Sequence, residues 1–371
     1  MKSKFKNMDK LLFLLMIIYT VLGLVMVFSA SSMTAVLQYG KSESYFFTRQ
    51  LFFVILAYIC GFIILFMPNK FIRLFKKTSN LLGIISIILL FITWTSGIHA
   101  NGATSWLKIG PIRLQPSEFV KTFMICSIAF AFNNPKKAFY KYRFLLPFSY
   151  VVIYLALIFA QPDLGTDMIV AIIAFLMFMA LPIRNGNQKK LKIVAGTIAV
   201  CVVCMFAMGS DILKGALTEE QLSRFVYKNP CARYSEKTGY QVCNGYIAIN
   251  NGGLFGVGLG NSTQKYLYLP EAYTDFIFPI IVEELGSITA GIIIIGFIIM
   301  LYRILRIAKS SETLTGSLLA YGTFSLITAH LLVNLLGVMA VIPLTGVPLP
   351  FLSSGGSFIF NLIVLLFITL R

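Results

Sequence analysis

Ten long apolar runs constrain this chain more than any other feature of its sequence. They cover residues 11–31, 50–67, 79–97, 117–132, 144–160, 164–182, 192–209, 274–300, 314–342 and 357–370. A helix that crosses a bilayer needs about 20 mostly apolar residues. Inside hydrocarbon only helices and closed barrels satisfy their own backbone. The expected fold is an all-α polytopic membrane protein, a single domain over 1–371 with ten transmembrane helices. The composition agrees, with 58% hydrophobic and 12% charged residues, where soluble domains carry roughly a quarter charged. A water-soluble globular fold is thereby excluded. So is a nucleic-acid-binding domain, despite the net charge of +17. Such a domain gathers its charge on one solvated face, whereas here the basic residues form short clusters between the runs. The first run follows a basic start and reads as a full span, with no small-residue cleavage site.

Loop charge sets the orientation, because short cytoplasmic loops are rich in Lys and Arg. Lys2, Lys4, Lys6, Lys10, Lys70, Arg73, Lys76, Lys77, Lys136, Lys137, Lys141, Arg143, Arg184, Lys189, Lys190, Lys192, Arg303, Arg306, Lys309 and Arg371 fall in alternate segments, with only Asp9 and Glu312 as acids. These segments are expected in the cytoplasm, with both termini inside. The remaining charges nearly cancel. On the outer side one large loop, 210–272, is too long for a mere connector, and segments 98–116, 161–166 and 343–356 also look unusual. Cys60, Cys126, Cys201 and Cys204 lie in apolar runs and read as packed thiols. Cys231 and Cys243 share the large loop, and on an oxidising face such a pair suggests a disulfide.

Ionisable groups at the edge of a span are costly and by default mark a functional site. Glu118 and Lys121 stand three apart at the start of the fourth run, after the helix-starting Pro116 and Ser117. Either they form a structural ion pair or they line a polar cavity. Glu271 and Asp275 stand four apart in Pro270–Asp275. This is read as the first turn of the eighth helix, with Pro279 expected to kink it. Glu283 and Glu284 follow, one of them expected to support the cavity. The glycine-rich stretch 250–260 permits tight turns and close backbone approach. No strand precedes it, so it is not a dinucleotide or P-loop fingerprint. His330 and Asn334, one turn apart, read as a satisfied pair in the bundle core. No zinc motif is present, and the expected site is without a dedicated metal.

Several segments together are specific: NGATSWLKIG at 101–110, QPSEFVK at 115–121, QPDLGT at 161–166, NNGGLFGVGLGNSTQKYLYLPEAYTDFIF at 250–278 and PLTGVPLPFLSSGGS at 343–357. In this order they resemble the SEDS family (shape, elongation, division, sporulation), and TQKYLYLPEA is more like its FtsW branch than RodA. The resemblance implies a peptidoglycan glycosyltransferase that polymerises lipid II at the outer face of the cytoplasmic membrane and releases undecaprenyl pyrophosphate. It implies a class B penicillin-binding protein and other division proteins as partners, and a place at the septum. By the same resemblance Asp275 is the essential carboxylate, Trp106 a required tryptophan, Glu118 and Lys121 a polar cavity pair, and Arg224 a basic loop residue near the site. Asp163 is assigned to loop architecture. Two positions depart from the family: Tyr273 stands where many relatives carry His, and Ser354 where an aromatic is common.

The implied chemistry is an inverting glycosyl transfer, which needs one general base and no glycosyl-enzyme. Asp275 fits the base. Lys121, Arg224 and Lys265 are candidates for the pyrophosphate, Glu271 for substrate binding, and Trp106 for stacking on a sugar face. A divalent cation (Mg or Mn) travelling with the pyrophosphate is compatible with this site. A lipid II flippase, a non-catalytic division scaffold, and a RodA-like or SpoVE-like paralogue remain open as alternatives.

Overall fold

The computed structural model describes residues 8–68, 79–100, 103–110, 112–134, 145–182, 186–208 and 227–371. The helices are α1 (Lys10–Leu37), α2 (Tyr45–Phe66), α3 (Ser79–Ser96), α4 (Pro116–Ala131), α5 (Leu146–Phe159), α6 (Leu164–Ala180), α7 (Gly186–Met208), α8 (Lys237–Gly252), α9 (Ile277–Ser310), α10 (Leu314–Val338) and α11 (Gly356–Leu370). Each apolar run coincides with one of them, and α8 lies within the large loop. Four helices, α1, α2, α9 and α10, are long and apolar enough by themselves to cross a membrane. The chain is a multi-pass helical membrane protein. Polar side chains mark helix starts: Asp9 accepts from Leu12 N at 2.9 Å, Asp163 from Thr166 N at 3.1 Å and Thr313 from Gly316 N at 3.1 Å. Each such cap contributes about 1 kcal/mol.

α1 and α9 show how the bundle is held in register. The Asp9 carboxylate meets Arg303 at 2.7 Å at one end. Midway, the Tyr19 hydroxyl donates to Ile293 O and its ring packs on Phe297 at 4.4 Å. At the other end Ser29 donates to Glu284 at 2.7 Å. From Asp9 to Ser29 the helical rise gives about 30 Å, which is the thickness of a bilayer's hydrocarbon core. The two polar levels are therefore about one hydrocarbon thickness apart.

The expectation of an all-α fold needs correction. Three strands, β1 (Ile98–Ala100), β2 (Ala103–Ile109) and β3 (Ile112–Leu114), form an antiparallel sheet in that order. Trp106 pairs with Ile98, and Leu107 with Leu114. Alternation in a segment this short is too brief to separate from a connector by sequence.

The eighth helix also departs from expectation. It begins at Ile277, so Glu271 and Asp275 lie in a preceding series of turns rather than on one helical face. Glu271 itself has a left-handed backbone, φ 55°. Pro279 falls in the first turn of α9, where its missing N–H breaks no bond. The break comes instead at Gly286, φ 85° and ψ 162°. It frees helical backbone groups, and the glycine-rich stretch takes them up. Val257 N donates to Glu283 O at 2.9 Å and Gly258 N to Glu284 O at 3.0 Å, while Ser287 N donates to Gly253 O at 3.0 Å. A Cβ on Gly286 would stand 2.3 Å from Leu254 O. The glycines thus seat a loop against a broken helix. Gly286→Ala is expected to destabilise the protein by about 1–3 kcal/mol, the cost of a backbone region open almost only to glycine. A thermal melt in detergent that matched the native chain would contradict this account.

Candidate active site

Segment 343–355 carries non-helical backbone into the bundle. Gly23 of α1 lies so close that a Cβ there would meet Phe351 O at 2.0 Å, and Gly165 of α6 stands in the same relation to Thr345 O at 2.2 Å. Backbone at this depth must find partners within the protein. Gln50 of α2 donates to Ser353 O at 3.3 Å and accepts from Gly355 N at 3.1 Å. Asn334 of α10 donates to Val347 O at 2.8 Å, and also to Asp275 O at 2.7 Å. Ser354 N donates to Tyr273 O at 2.8 Å, and the Ser353 hydroxyl to Thr274 O. The segment is thereby bound to the turns that carry Thr274 and Asp275.

These pieces enclose a polar cavity of about 350 Å³, whose wall includes Trp106, Glu118, Lys121, Asp163, Glu271 and Asp275. Asp275 is 7% exposed. Its Oδ1 accepts from the Thr274 hydroxyl at 3.0 Å, and that hydroxyl also reaches Glu271 Oε2 at 2.7 Å. Asp275 Oδ2 lies 4.0 Å from where a Cβ of Gly346 would stand. Trp106 is half-buried on β2. Asp163 ties three elements together: besides capping α6, its Oδ2 accepts from Ser105 of β2 at 2.8 Å and from Gln115 at 3.3 Å. It therefore serves the architecture as expected and also faces the cavity.

Glu118 and Lys121 are buried at 4% and 1% exposure. The Lys121 ammonium lies 2.8 Å from both carboxylate oxygens of Glu118 and 3.0 Å from His330 Nε2. An ammonium has three donors, of which Glu118 Oε1 and His330 Nε2 engage two, and Glu118 Oε2 accepts no hydrogen bond among the described residues. His330 Nδ1 in turn donates to Pro348 O at 3.1 Å, which assigns the proton to that nitrogen and leaves Nε2 as acceptor. His330 and Asn334 are therefore not partners of each other, contrary to expectation. Each reaches segment 343–355, and His330 lines the cavity.

Other expected residues fall elsewhere. Lys265 is buried away from the cavity. It pairs with Glu284 at 3.1 Å and donates to Gly260 O, so it is not available to a pyrophosphate there. Glu283 accepts from Thr263 N at 3.2 Å and from the Ser262 hydroxyl. Both glutamates thus hold the large loop, and neither lines the cavity. Arg224 lies outside the described residues. Cys231 and Cys243 form a disulfide that ties a 3-10 turn, Pro230–Arg233, to α8. From α8, Lys237, Thr238 and Gln241 reach the cavity wall. Lys237 was not singled out by sequence, because nothing distinguishes a lysine in a loop from a solvated one. It is exposed and makes no hydrogen bond or ion pair among the described residues. Burial, and after it the nearby Glu271 charge, pushes the Tyr273 phenol further above its ordinary range. It stays neutral and cannot replace a histidine base.

A multi-pass helical bundle with an acidic and basic cavity at one end defines the class. Residues 9–371 match the FtsW, RodA and SpoVE family, described as "Cell cycle protein", and the chain belongs to it. It is 38% identical over 365 residues to "Probable peptidoglycan glycosyltransferase FtsW" of Bacillus subtilis (strain 168), covering 96% of this chain and 88% of that one. With "Stage V sporulation protein E" of the same organism it shares 33% over 364 residues, 96% and 94% of the two chains. Among solved structures it resembles Thermus thermophilus RodA, with TM-score 0.66 and 22% identity over 98% of this chain and 95% of that one. It also resembles a chain from "Structural coordination of polymerization and crosslinking by a peptidoglycan synthase complex", with TM-score 0.73 and 22% identity over 98% and 96%. These two likenesses establish the shared fold.

The buried pair makes a test of its own. Removing one partner of a buried ion pair costs about 3–5 kcal/mol, whereas replacing both with apolar groups is often neutral. Lys121→Met is expected to melt well below the native protein, and Glu118→Leu/Lys121→Met to regain most of the difference. A double variant no more stable than the single would contradict mutual neutralisation.

Proposed function

We propose that this protein is a peptidoglycan glycosyltransferase. It polymerises lipid II at the outer face of the bacterial cytoplasmic membrane during cell division. The observation that carries the reading is the Asp275 carboxylate, oriented by Thr274 in the wall of a polar cavity. Family membership and the likeness to the Bacillus subtilis relative supply the substrate class. Ten spans with both termini inside follow from the loop charges, and a septal position from the role in division.

In this reading a sugar hydroxyl bound in the cavity gives its proton to Asp275 as it attacks the anomeric carbon of a lipid-linked glycan. The bond to the pyrophosphate breaks with inversion, and undecaprenyl pyrophosphate leaves. A positioned general base contributes about 10²–10⁴-fold. The leaving charge needs a cation with donors to spare. Lys121 is already paired with Glu118, so the proposed partners of the pyrophosphate are Lys237, exposed at the cavity wall, and Arg224 from the same loop. Among the described residues no three of His, Cys, Asp and Glu gather as a metal site. A divalent ion arriving with the pyrophosphate would meet Asp275 and Glu271. Trp106 offers a sugar its flat face. A class B penicillin-binding protein is the proposed partner, supported by the synthase complex among the structural relatives.

The decisive experiment mixes the purified protein, its cognate transpeptidase with the active-site serine blocked, and lipid II in detergent. There is no membrane to cross, so a flippase or a scaffold gives no polymer and a polymerase does. Asp275→Ala is expected to lose about 10²–10⁴-fold in polymerisation rate while remaining monodisperse. Glycan strands at the native rate would remove Asp275 from the chemistry. Trp106→Ala and Lys237→Gln are each expected to slow polymerisation and raise KM for lipid II. Unchanged kinetics in either would refute that residue's part.

A further inference from the structure

The Thr274 hydroxyl stands between two carboxylates. It lies 2.7 Å from Glu271 Oε2 and 3.0 Å from Asp275 Oδ1. It is also 3.1 Å from Glu271 O, but that carbonyl already accepts from Thr274 N and Phe276 N, each at 3.1 Å. A hydroxyl has one proton to give and two lone pairs to accept with. It therefore donates to one carboxylate at a time. The other contact becomes a hydrogen bond when that carboxyl is protonated and donates to Oγ1. The backbone is shaped around this arrangement. Glu271 is left-handed, φ 55°, a conformation uncommon outside glycine that persists where the surrounding structure fixes it. Asn334 donates to Asp275 O at 2.7 Å and the Ser353 hydroxyl to Thr274 O, so the turn that carries these side chains is held from α10 and from segment 343–355.

The reaction proposed above leaves a proton on Asp275 at every turnover, and Asp275 must lose it before the next. Asp275 is 7% exposed, whereas Glu271 is only half-buried. Two substrates meet in a cavity of about 350 Å³, the lower end for a ligand pocket. Little room is left for water to reach Asp275 directly. We propose that Glu271, acting through the Thr274 hydroxyl, takes up the proton that Asp275 removes from the sugar. This rests on Asp275 as the general base. The sugar O–H proton passes to the Asp275 carboxylate as the new glycosidic bond forms and the bond to the pyrophosphate breaks. The acid turns its proton towards Thr274 Oγ1. That oxygen takes it while giving its own proton to Glu271 Oε2. Glu271 releases the proton to water, and the Thr274 hydroxyl rotates back to donate to Asp275. Each group ends as it began, and no further reactant is consumed. Thr274 thus serves both halves of the cycle, as a donor to the base and as an acceptor from its acid.

The test uses the full chain with its serine-blocked transpeptidase and lipid II in detergent, and reads kcat and KM. A native protein that makes no polymer would overturn the polymerase reading and this one together. With a native protein that polymerises, the variants decide the relay alone. Glu271→Gln keeps the size and an acceptor oxygen but cannot take a proton. It is expected to lower kcat about tenfold, short of the roughly 10²–10⁴-fold that a positioned base supplies. KM for lipid II is expected to stay unchanged, and imidazole in the buffer to restore part of the rate. Thr274→Val breaks the path and is expected to lower kcat at least as far, and Thr274→Ser, which keeps the hydroxyl, to recover most of that loss. Glu271→Gln/Thr274→Val is expected to be no slower than Thr274→Val, because residues on one path do not add independently. Glu271→Gly, suited to a left-handed backbone, replaces Glu271→Gln if that variant fails to fold. Native kcat in Glu271→Gln, or losses that multiply in the double variant, would overturn the proposal. So would a raised KM with native kcat, which would return Glu271 to substrate binding. Recovery of Glu271→Gln by excess Mg2+ would make the residue a metal ligand and equally overturn it.

Discussion

Backbone that leaves helical form inside a membrane must be paid for in hydrogen bonds from side chains, because lipid offers none. Segment 343–355 is such a backbone, and the active-site cavity depends on how its groups are satisfied. Gln50 serves two of them, and His330 and Asn334 one carbonyl each. These helix side chains would be out of place in an apolar run if the run were only a span. Their polarity is needed because the loop enters the bundle. The loop in turn fixes Tyr273, Thr274 and Asp275 through backbone contacts.

The same reasoning separates the two lysines near the acidic residues. Lys121 and Lys265 are both buried and both paired, one with Glu118 and one with Glu284. Each neutralises a carboxylate that burial would otherwise penalise. Neither is suited to meet a charged substrate that comes and goes. A cation that must exchange water for a pyrophosphate has to be solvated beforehand, and Lys237 on α8 meets that condition. The disulfide between Cys231 and Cys243 ties that helix to the turn that precedes it.

Much of this was legible in the sequence. Ten apolar runs located ten helices, because hydrophobic length is a strong signal over twenty residues. Trp106, Glu118, Lys121, Glu271 and Asp275, singled out at the edges of runs or by resemblance, all line one cavity. What failed were readings that assumed a local explanation. Glu271 and Asp275 fit a helix start by spacing, yet the helix begins later at Ile277. Pro279 looked like the source of a kink that Gly286 makes. Lys265 stood beside the site in sequence and was drawn off by Glu284, 19 residues on. His330 and Asn334 were assigned to each other because a helix places them together, when their partners lay on a loop. Tertiary hydrogen bonds decided each case, and they leave no periodic trace.

Asn334 has a consequence for how variants of this protein are read. One side-chain amide, with two hydrogens, holds the carbonyl of Asp275 and the carbonyl of Val347. It belongs to α10 and does not line the cavity. A genetic screen for inactive alleles will therefore recover changes at a helix position that never meets substrate, and they will look like lesions in the chemistry. The phenotype would report a displaced carboxylate, so a map of inactivating alleles would trace the scaffold's hydrogen bonds as well as the binding site.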